Sequence, residues 1–181
     1  NAFNTVAAFT FFIIVYYLFN GDAGAAGLWP TLFGSLGALS TTFLVIPAIS
    51  RMSKLMGKKK AFLVSQFISI IGYILLWFLF VPGKPYLFII ALPFFSFGIG
   101  SLFTIMMSMT ADVIDLDELH SGKRREGIFG AIYWWMVKFG FAIAGGLSGV
   151  IFSIIGFDAS LEVQTESAIT GLRMFFSGLP I

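Results

Sequence analysis

The sequence predicts an all-α polytopic membrane protein, and three observations carry that prediction. Of 181 residues, 58% are hydrophobic and only 11% are charged, where a soluble domain carries about 25% charged residues. The mean hydropathy is +0.95. Apolar runs of spanning length, about 20 residues, alternate with short stretches that hold most of the Lys, Arg, Asp and Glu.

Taken in order, residues 2–19 form the first span, containing Asn4, Thr5 and Thr10 and ending near Tyr16 and Tyr17, at a depth suited to an aromatic belt. Asn20 to Gly24 is turn chemistry, and the second span covers residues 28–49, with Gly34 and Gly37 allowing close packing and Pro47 marking its end. A short basic loop follows over residues 50–60. The third span, residues 61–81, opens with Ser65, Gln66 and Ser69 and closes on Pro-Gly-Lys-Pro at 82–85. Residues 86–111 make the fourth, interrupted by Pro93, Gly98 and Gly100, where a kink or partly broken helix is expected. After a charged hairpin, residues 127–155 form a fifth span whose Gly145 and Gly149 stand in a G-x-x-x-G spacing, an indication of close helix contact. An acidic loop at 157–166 leads to a sixth run from about residue 168, shorter than the ~20 residues a bilayer requires. With no initial methionine, the sequence reads as a fragment of something longer.

Charge orients these spans. Arg51, Lys54, Lys58, Lys59, Lys60, Lys123, Arg124 and Arg125 fall on one side, whereas the opposite loops offer Lys84, with Arg173 near the start of the last run. The positive-inside rule therefore predicts that segments 50–60 and 112–126 are cytoplasmic.

Functional candidates concentrate between Asp112 and Lys138. Lys138 follows Glu126 by 12 residues, roughly 18 Å of helix from the charged mouth. An ammonium at that depth needs a carboxylate, a watery cavity or a neutralising shift. No acidic residue in the chain matches its depth, so a partner is expected from elsewhere; a structural ion pair or a lysine bent to the interface is the plainer alternative. Trp134 lies one turn from Lys138 on the same stripe, with Ala131 and Ala142 as small neighbours. Such an indole could stack on the C–H face of a sugar while charged groups bond its hydroxyls, or Tyr133, Trp134 and Trp135 could be packing and belt residues.

In the hairpin, Asp112 and Asp115 are expected to end the fourth helix and Arg124 and Arg125 to begin the fifth, each opposed to its helix dipole. Groups so placed fit a salt-bridge latch, or else a solvated loop that only sets topology; Glu126 is well placed as a helix cap. Gly57 and its three lysines lack Walker spacing and a preceding strand, so topology is their expected role. The chain has no cysteine and one histidine, His120, which argues against a thiolate or histidine metal centre. It also has no Ser-His-Asp set, paired-carboxylate cleft or H-E-x-x-H, so neither an enzyme nor a resident metal or cofactor is expected, and no nucleic-acid partner.

The run Thr-Ala-Asp-Val-Ile-Asp-Leu-Asp-Glu-Leu-His-Ser-Gly-Lys-Arg-Arg-Glu-Gly, then Val-Lys-Phe-Gly and Ile-Ile-Gly-Phe-Asp, resembles the second half of the glycoside-pentoside-hexuronide:cation symporters. These are melibiose-permease-like members of the major facilitator superfamily. The resemblance covers essentially the whole chain; the hairpin motif is its specific part. It implies that residues 1–181 are the C-terminal six-helix bundle, helices seven to eleven and the start of twelve of a twelve-helix transporter, truncated at both ends. Lys138 then matches the family's helix-eleven lysine near the sugar and cation sites. Phe103 falls where melibiose permease has a sugar-stacking tryptophan, and Trp134 where it has a threonine; both departures bear on specificity. Asp112, Asp115, Arg124 and Glu126 match charged positions of the cytoplasmic gate.

The implied activity is sodium- or proton-coupled symport of a sugar, glycoside or hexuronide across the plasma membrane by alternating access. The coupling cation is expected mainly in the N-terminal half, which with the lipid bilayer and the sugar completes the expected partners. A lysophospholipid or other amphiphile carrier of the same family, and a non-transporting membrane scaffold or sensor, are the alternatives.

Overall fold

The computed structural model describes residues 9–158, 161 and 164–178, and every regular element among them is helical. Helix α1 (Phe9–Leu18) winds its last six residues, Ile13–Leu18, as a π-helix. A single turn, Ala23–Ala26, is capped by Asp22, whose carboxylate accepts from the Ala25 amide at 2.8 Å. Helix α2 spans residues 29–56, α3 is Lys58–Leu79, a 3-10 segment runs over Pro85–Ile90, α4 is Leu92–Ser121, α5 is Glu126–Ile154 and α6 is Glu166–Gly178. Four stretches are long and apolar enough to cross a membrane: Ala23–Met56, Lys58–Leu79, Leu92–Ser121 and Glu126–Ile154. Residues 2–8 of the first predicted span, with Asn4 and Thr5, lie outside the described residues.

Proline and glycine act differently from the sequence expectation. Pro47 does not end the second span. Just before it the Ile46 amide reaches back five residues to Thr41 O, part of a π-wound stretch over Thr41–Val45, and the helix continues as Ile46–Met56. The wider turn absorbs a residue that has no amide to give. The expected basic loop at 50–60 is helical as well, broken only at Gly57, whose φ of +83° turns α2 into α3 in one residue. Nor is the fourth span broken inside. Its irregular part is the 3-10 segment ahead of it, and Pro93 sits in the first turn of α4, where the missing amide costs nothing.

Gly98 and Gly100 serve packing. A Cβ on Gly98 would meet Ser69 Oγ at 2.5 Å, one on Gly100 would meet Val45 at 3.0 Å, and one on Gly72 would fall 2.3 Å from the Phe95 backbone nitrogen. α3 and α4 therefore pack with backbones in contact, the arrangement small residues permit in membranes. Ser69 Oγ donates to Phe95 O at 3.0 Å and Gln66 Nε2 to Ser101 Oγ at 3.0 Å across the same seam.

The main core joins Phe9, Ile13 and Leu18 of α1 with Phe33, Leu76, Phe80, Phe88, Leu172 and Phe176. A smaller one joins Val45, Ile49, Ala61 and Ile105 toward the basic end of the bundle. Arg173 of α6 stands 4.4 Å from the ring centres of both Tyr17 and Trp77 and donates to Trp77 O at 3.1 Å, so a cation is held between two aromatic faces. α5 buries the stripe Gly140, Ala144, Ser148, Ile151, and Phe152 meets Phe9 at 4.8 Å. The close contact expected at Gly145 and Gly149 is not made among the described residues: a Cβ on either would have none of them within 4 Å.

Candidate functional site

One face of α1, α2 and α4 encloses a cavity of about 790 Å³, within the size range of small-molecule sites. Spacing along the helices creates it. On α2, Thr31, Gly34, Ala38, Thr41 and Thr42 recur at steps of three and four, presenting small and hydroxylated side chains to one side. Gly34 and Gly37 here leave room for the cavity as much as for packing, since a Cβ on Gly34 would meet nothing within 4 Å and one on Gly37 only the Phe95 ring at 3.9 Å. On α4, Ser96, Gly100 and Phe103 follow the same steps; Thr10 and Phe11 of α1, Tyr73 of α3 and Phe176 of α6 complete the wall.

Two threonines give this wall acceptor chemistry. Thr41 Oγ1 donates to Gly37 O at 2.8 Å and Thr42 Oγ1 to Ala38 O at 2.9 Å. Each hydroxyl has spent its proton on the helix and keeps lone pairs for a donor in the cavity. Threonine oxygens beside the rings of Phe11, Phe33, Phe95 and Phe103 suit a molecule with several hydroxyl donors and an apolar C–H face.

Of the sequence-predicted substrate residues, Phe103 lines this cavity and the others do not. Lys138 is exposed on α5, and Trp134 is 46% exposed. The unbroken helix α5 keeps Trp134 one turn from Lys138, and the neighbouring rings contact one another, Trp134 on Tyr133 at 5.5 Å and Trp135 stacked on Phe139 at 5.2 Å. The Tyr133 hydroxyl is buried without a hydrogen-bond partner. Among the described residues no carboxylate pairs with Lys138.

At the charged end, α4 runs on to Ser121, so Asp112 and Asp115 do not end it; they lie two turns or so inside, and the dipole argument against them weakens. Arg124 and Arg125 precede α5 rather than begin it, with Arg125 at the cap position. The α4–α5 corner turns on Gly122, at φ +65°, and charges close across it. Arg124 Nη1 lies 2.9 Å from Glu118 and 3.6 Å from Asp115, while its Nε donates to Glu126 at 3.2 Å, so Glu126, in the first turn of α5, is a partner of Arg124 rather than the expected cap. Arg125 grips Asp117 with two bonds, Nε to Oδ2 at 2.8 Å and Nη2 to Oδ1, the bidentate geometry of strong guanidinium–carboxylate pairs. The Arg125 hydrogen bond holds the Asp117 carboxyl below the usual carboxylate range, and the bonds to Glu126 and Glu118 raise Arg124 further. Asp117 stands beyond the apolar part of α4.

Asp112 takes no part in this cluster. It turns to α3, where Lys58 Nζ approaches at 2.6 Å and also donates to Ser108 O at 3.3 Å. Sequence reasoning missed Lys58, Asp117 and Glu118. For the last two a signal exists: 117 with 125 and 118 with 124 are acid–base pairs mirrored about Ser121. Lys58 and Asp112 are 54 residues apart, and no local pattern links them. Among the described residues no cluster of three or more His, Asp or Glu side chains could hold a metal ion.

The family model described as MFS/sugar transport protein matches residues 1–181. The chain is 29% identical over 168 residues to the uncharacterized symporter YnaJ of Bacillus subtilis, covering 93% of this chain and 35% of that protein. It is 29% identical over 175 residues to a glucuronide carrier protein homolog of Escherichia coli, covering 97% and 36%. It is 28% identical over 150 residues to the isoprimeverose transporter of Lactiplantibacillus pentosus, covering 81% and 30%. The chain thus spans about a third of the length of the curated relatives it matches. No solved structure matches it.

Proposed function

The chain belongs to the MFS/sugar transport protein family, and from that premise we propose that it is the C-terminal six-helix half of a secondary active carrier for a sugar, glycoside or hexuronide. Family and relatives are transporters, not enzymes, and four apolar helices of spanning length make it an integral membrane protein. The observation that carries the reading is the 790 Å³ cavity on α1, α2 and α4, whose threonine oxygens and phenyl faces suit a polyhydroxylated ring.

In this reading the cavity faces an N-terminal half, and the two halves rock about it to give alternating access. The coupling cation, sodium or a proton, is bound mainly by that other half. The exposed stripe of α5 with Tyr133, Trp134 and Lys138 is turned toward the same half, which supplies the counter-charge of Lys138. Asp115, Arg124, Arg125 and Glu126 form one side of a latch at the cytoplasmic mouth, together with Asp117 and Glu118, while the Lys58–Asp112 pair braces α3 against α4. The carrier sits in the plasma membrane with segments 50–60 and 112–126 in the cytoplasm.

Reconstitution of the full-length protein tests this. Vesicles with an imposed sodium or proton gradient are expected to accumulate at least one labelled glycoside, pentoside or hexuronide and to lose accumulation when the gradient is collapsed. Accumulation of a labelled lysophospholipid and of no sugar would move the cavity to an amphiphile, and accumulation of nothing would leave a scaffold or sensor.

A further inference from the structure

Several helical hydroxyls in this chain bond their own helix. Ser35, Thr41, Thr42, Ser65 and Thr110 each donate to the carbonyl four residues before them, the ordinary local solution for a Ser or Thr in an apolar setting. Ser96 departs from it. Only 1% exposed, on the cavity side of α4, its Oγ has no partner. Tyr73 of α3, 3% exposed, lines the same cavity, and its hydroxyl also has no partner. Tyr73 packs on Phe95, the residue before Ser96, with ring centres 6.0 Å apart.

Leaving two hydroxyls dry and unbonded carries a desolvation cost that a bond to a ligand would remove. Back-bonding to Leu92 O was open to Ser96, since Ser and Thr elsewhere in these helices take it, so a conformation with Oγ off its own helix keeps the proton for another partner. Each hydroxyl both donates and accepts. The group complementary to the pair is therefore another hydroxyl, which can accept from one and donate to the other.

We propose that Tyr73 and Ser96 form a specificity subsite at the inner wall of the cavity that reads one hydroxyl of the transported sugar. This rests on the sugar-carrier reading. Both residues line the cavity with their hydroxyls buried, so binding would turn the two oxygens toward the sugar. Because Phe33, Phe95 and Leu76 make the surroundings apolar, a sugar lacking that hydroxyl leaves both oxygens unpaired, and discrimination against the missing group is stronger than against a missing methylene.

The experiment uses the full-length protein in lipid nanodiscs, a panel of p-nitrophenyl glycosides, and every monodeoxy analogue of the tightest binder. The parent protein is expected to bind one monodeoxy analogue about tenfold more weakly than its parent sugar. Ser96→Ala and Tyr73→Phe, which remove only oxygen, are each expected to shrink that penalty, and the double variant to bind the sugar and that analogue equally. Melting of the sugar-free protein is the second readout: both variants should melt at or above the parent temperature, because an unbonded hydroxyl is lost.

A deoxy penalty that survives undiminished in the double variant overturns the subsite and leaves the carrier reading intact. So does a fall of several degrees in both melting temperatures, which would mean that the hydroxyls are bonded within the empty protein. Binding of no glycoside by the parent protein overturns the carrier reading first and the subsite with it.

Discussion

Lys58 Nζ lies 2.6 Å from the Asp112 carboxylate, so the first residue of α3 is tied to α4 nine residues before α4 ends. A cation at a helix N-terminus opposes the helix dipole, and the carboxylate offsets it. With side chains 36% and 57% exposed, the pair contributes modestly, about 0.2–1 kcal/mol. A thermal-melting cycle of Lys58→Met, Asp112→Asn and the double variant is expected to give a coupling in that range. Additive single effects would show that the two residues act independently.

Asp117 gives the hairpin its pH dependence. Its carboxyl titrates below the ordinary range because Arg125 hydrogen-bonds the charged form. A depressed pKa contributes stability that is present above the unpaired value and lost as pH falls through the lowered one. The hairpin is thus expected to stay closed throughout the physiological range and to loosen only below about pH 4. Hydrogen exchange of the 117–125 amides, corrected for intrinsic rates, checks this; loosening near pH 6 would contradict it.

Gly72 is where α3 and α4 come closest. A methyl group there would lie 2.3 Å from the Phe95 nitrogen and 2.7 Å from the Phe94 carbonyl carbon. Because backbone is the obstacle, the helices must separate, and Gly72→Ala is expected to destabilise by about 1–3 kcal/mol. Gly130→Ala on α5, with nothing within 4 Å, is expected to be neutral. Equal melting of the two variants would contradict the packing.

The helical membrane architecture was legible because length and charge placement report it directly: a run such as 61–79 has little alternative to spanning. Boundaries near the membrane surface were not. Ser-Arg-Met-Ser-Lys-Leu-Met reads as a loop by charge, yet it is composed of residues that tolerate a helix, and only Gly57 breaks it. Pro47 looked like a terminator because the local sequence does not reveal a π-turn ready to absorb it. At the site, Phe103 was legible through family resemblance. The cavity itself was not, since its hydroxyls come one to three at a time from α1, α2, α3 and α4 and converge only in the fold. The Arg124 cluster was half legible, its members visible as charges and its pairing decided by the turn at Gly122.

In the proposed carrier this cavity holds a sugar against Phe103. The most direct test is glycoside affinity in the full-length protein for Phe103→Ala beside Phe67→Ala, a residue 67% exposed on α3 and absent from the cavity wall. Loss of one stacking ring is expected to weaken binding about threefold to tenfold in Phe103→Ala and to leave Phe67→Ala at the parent affinity. Unchanged affinity in Phe103→Ala would place the sugar elsewhere and contradict the account.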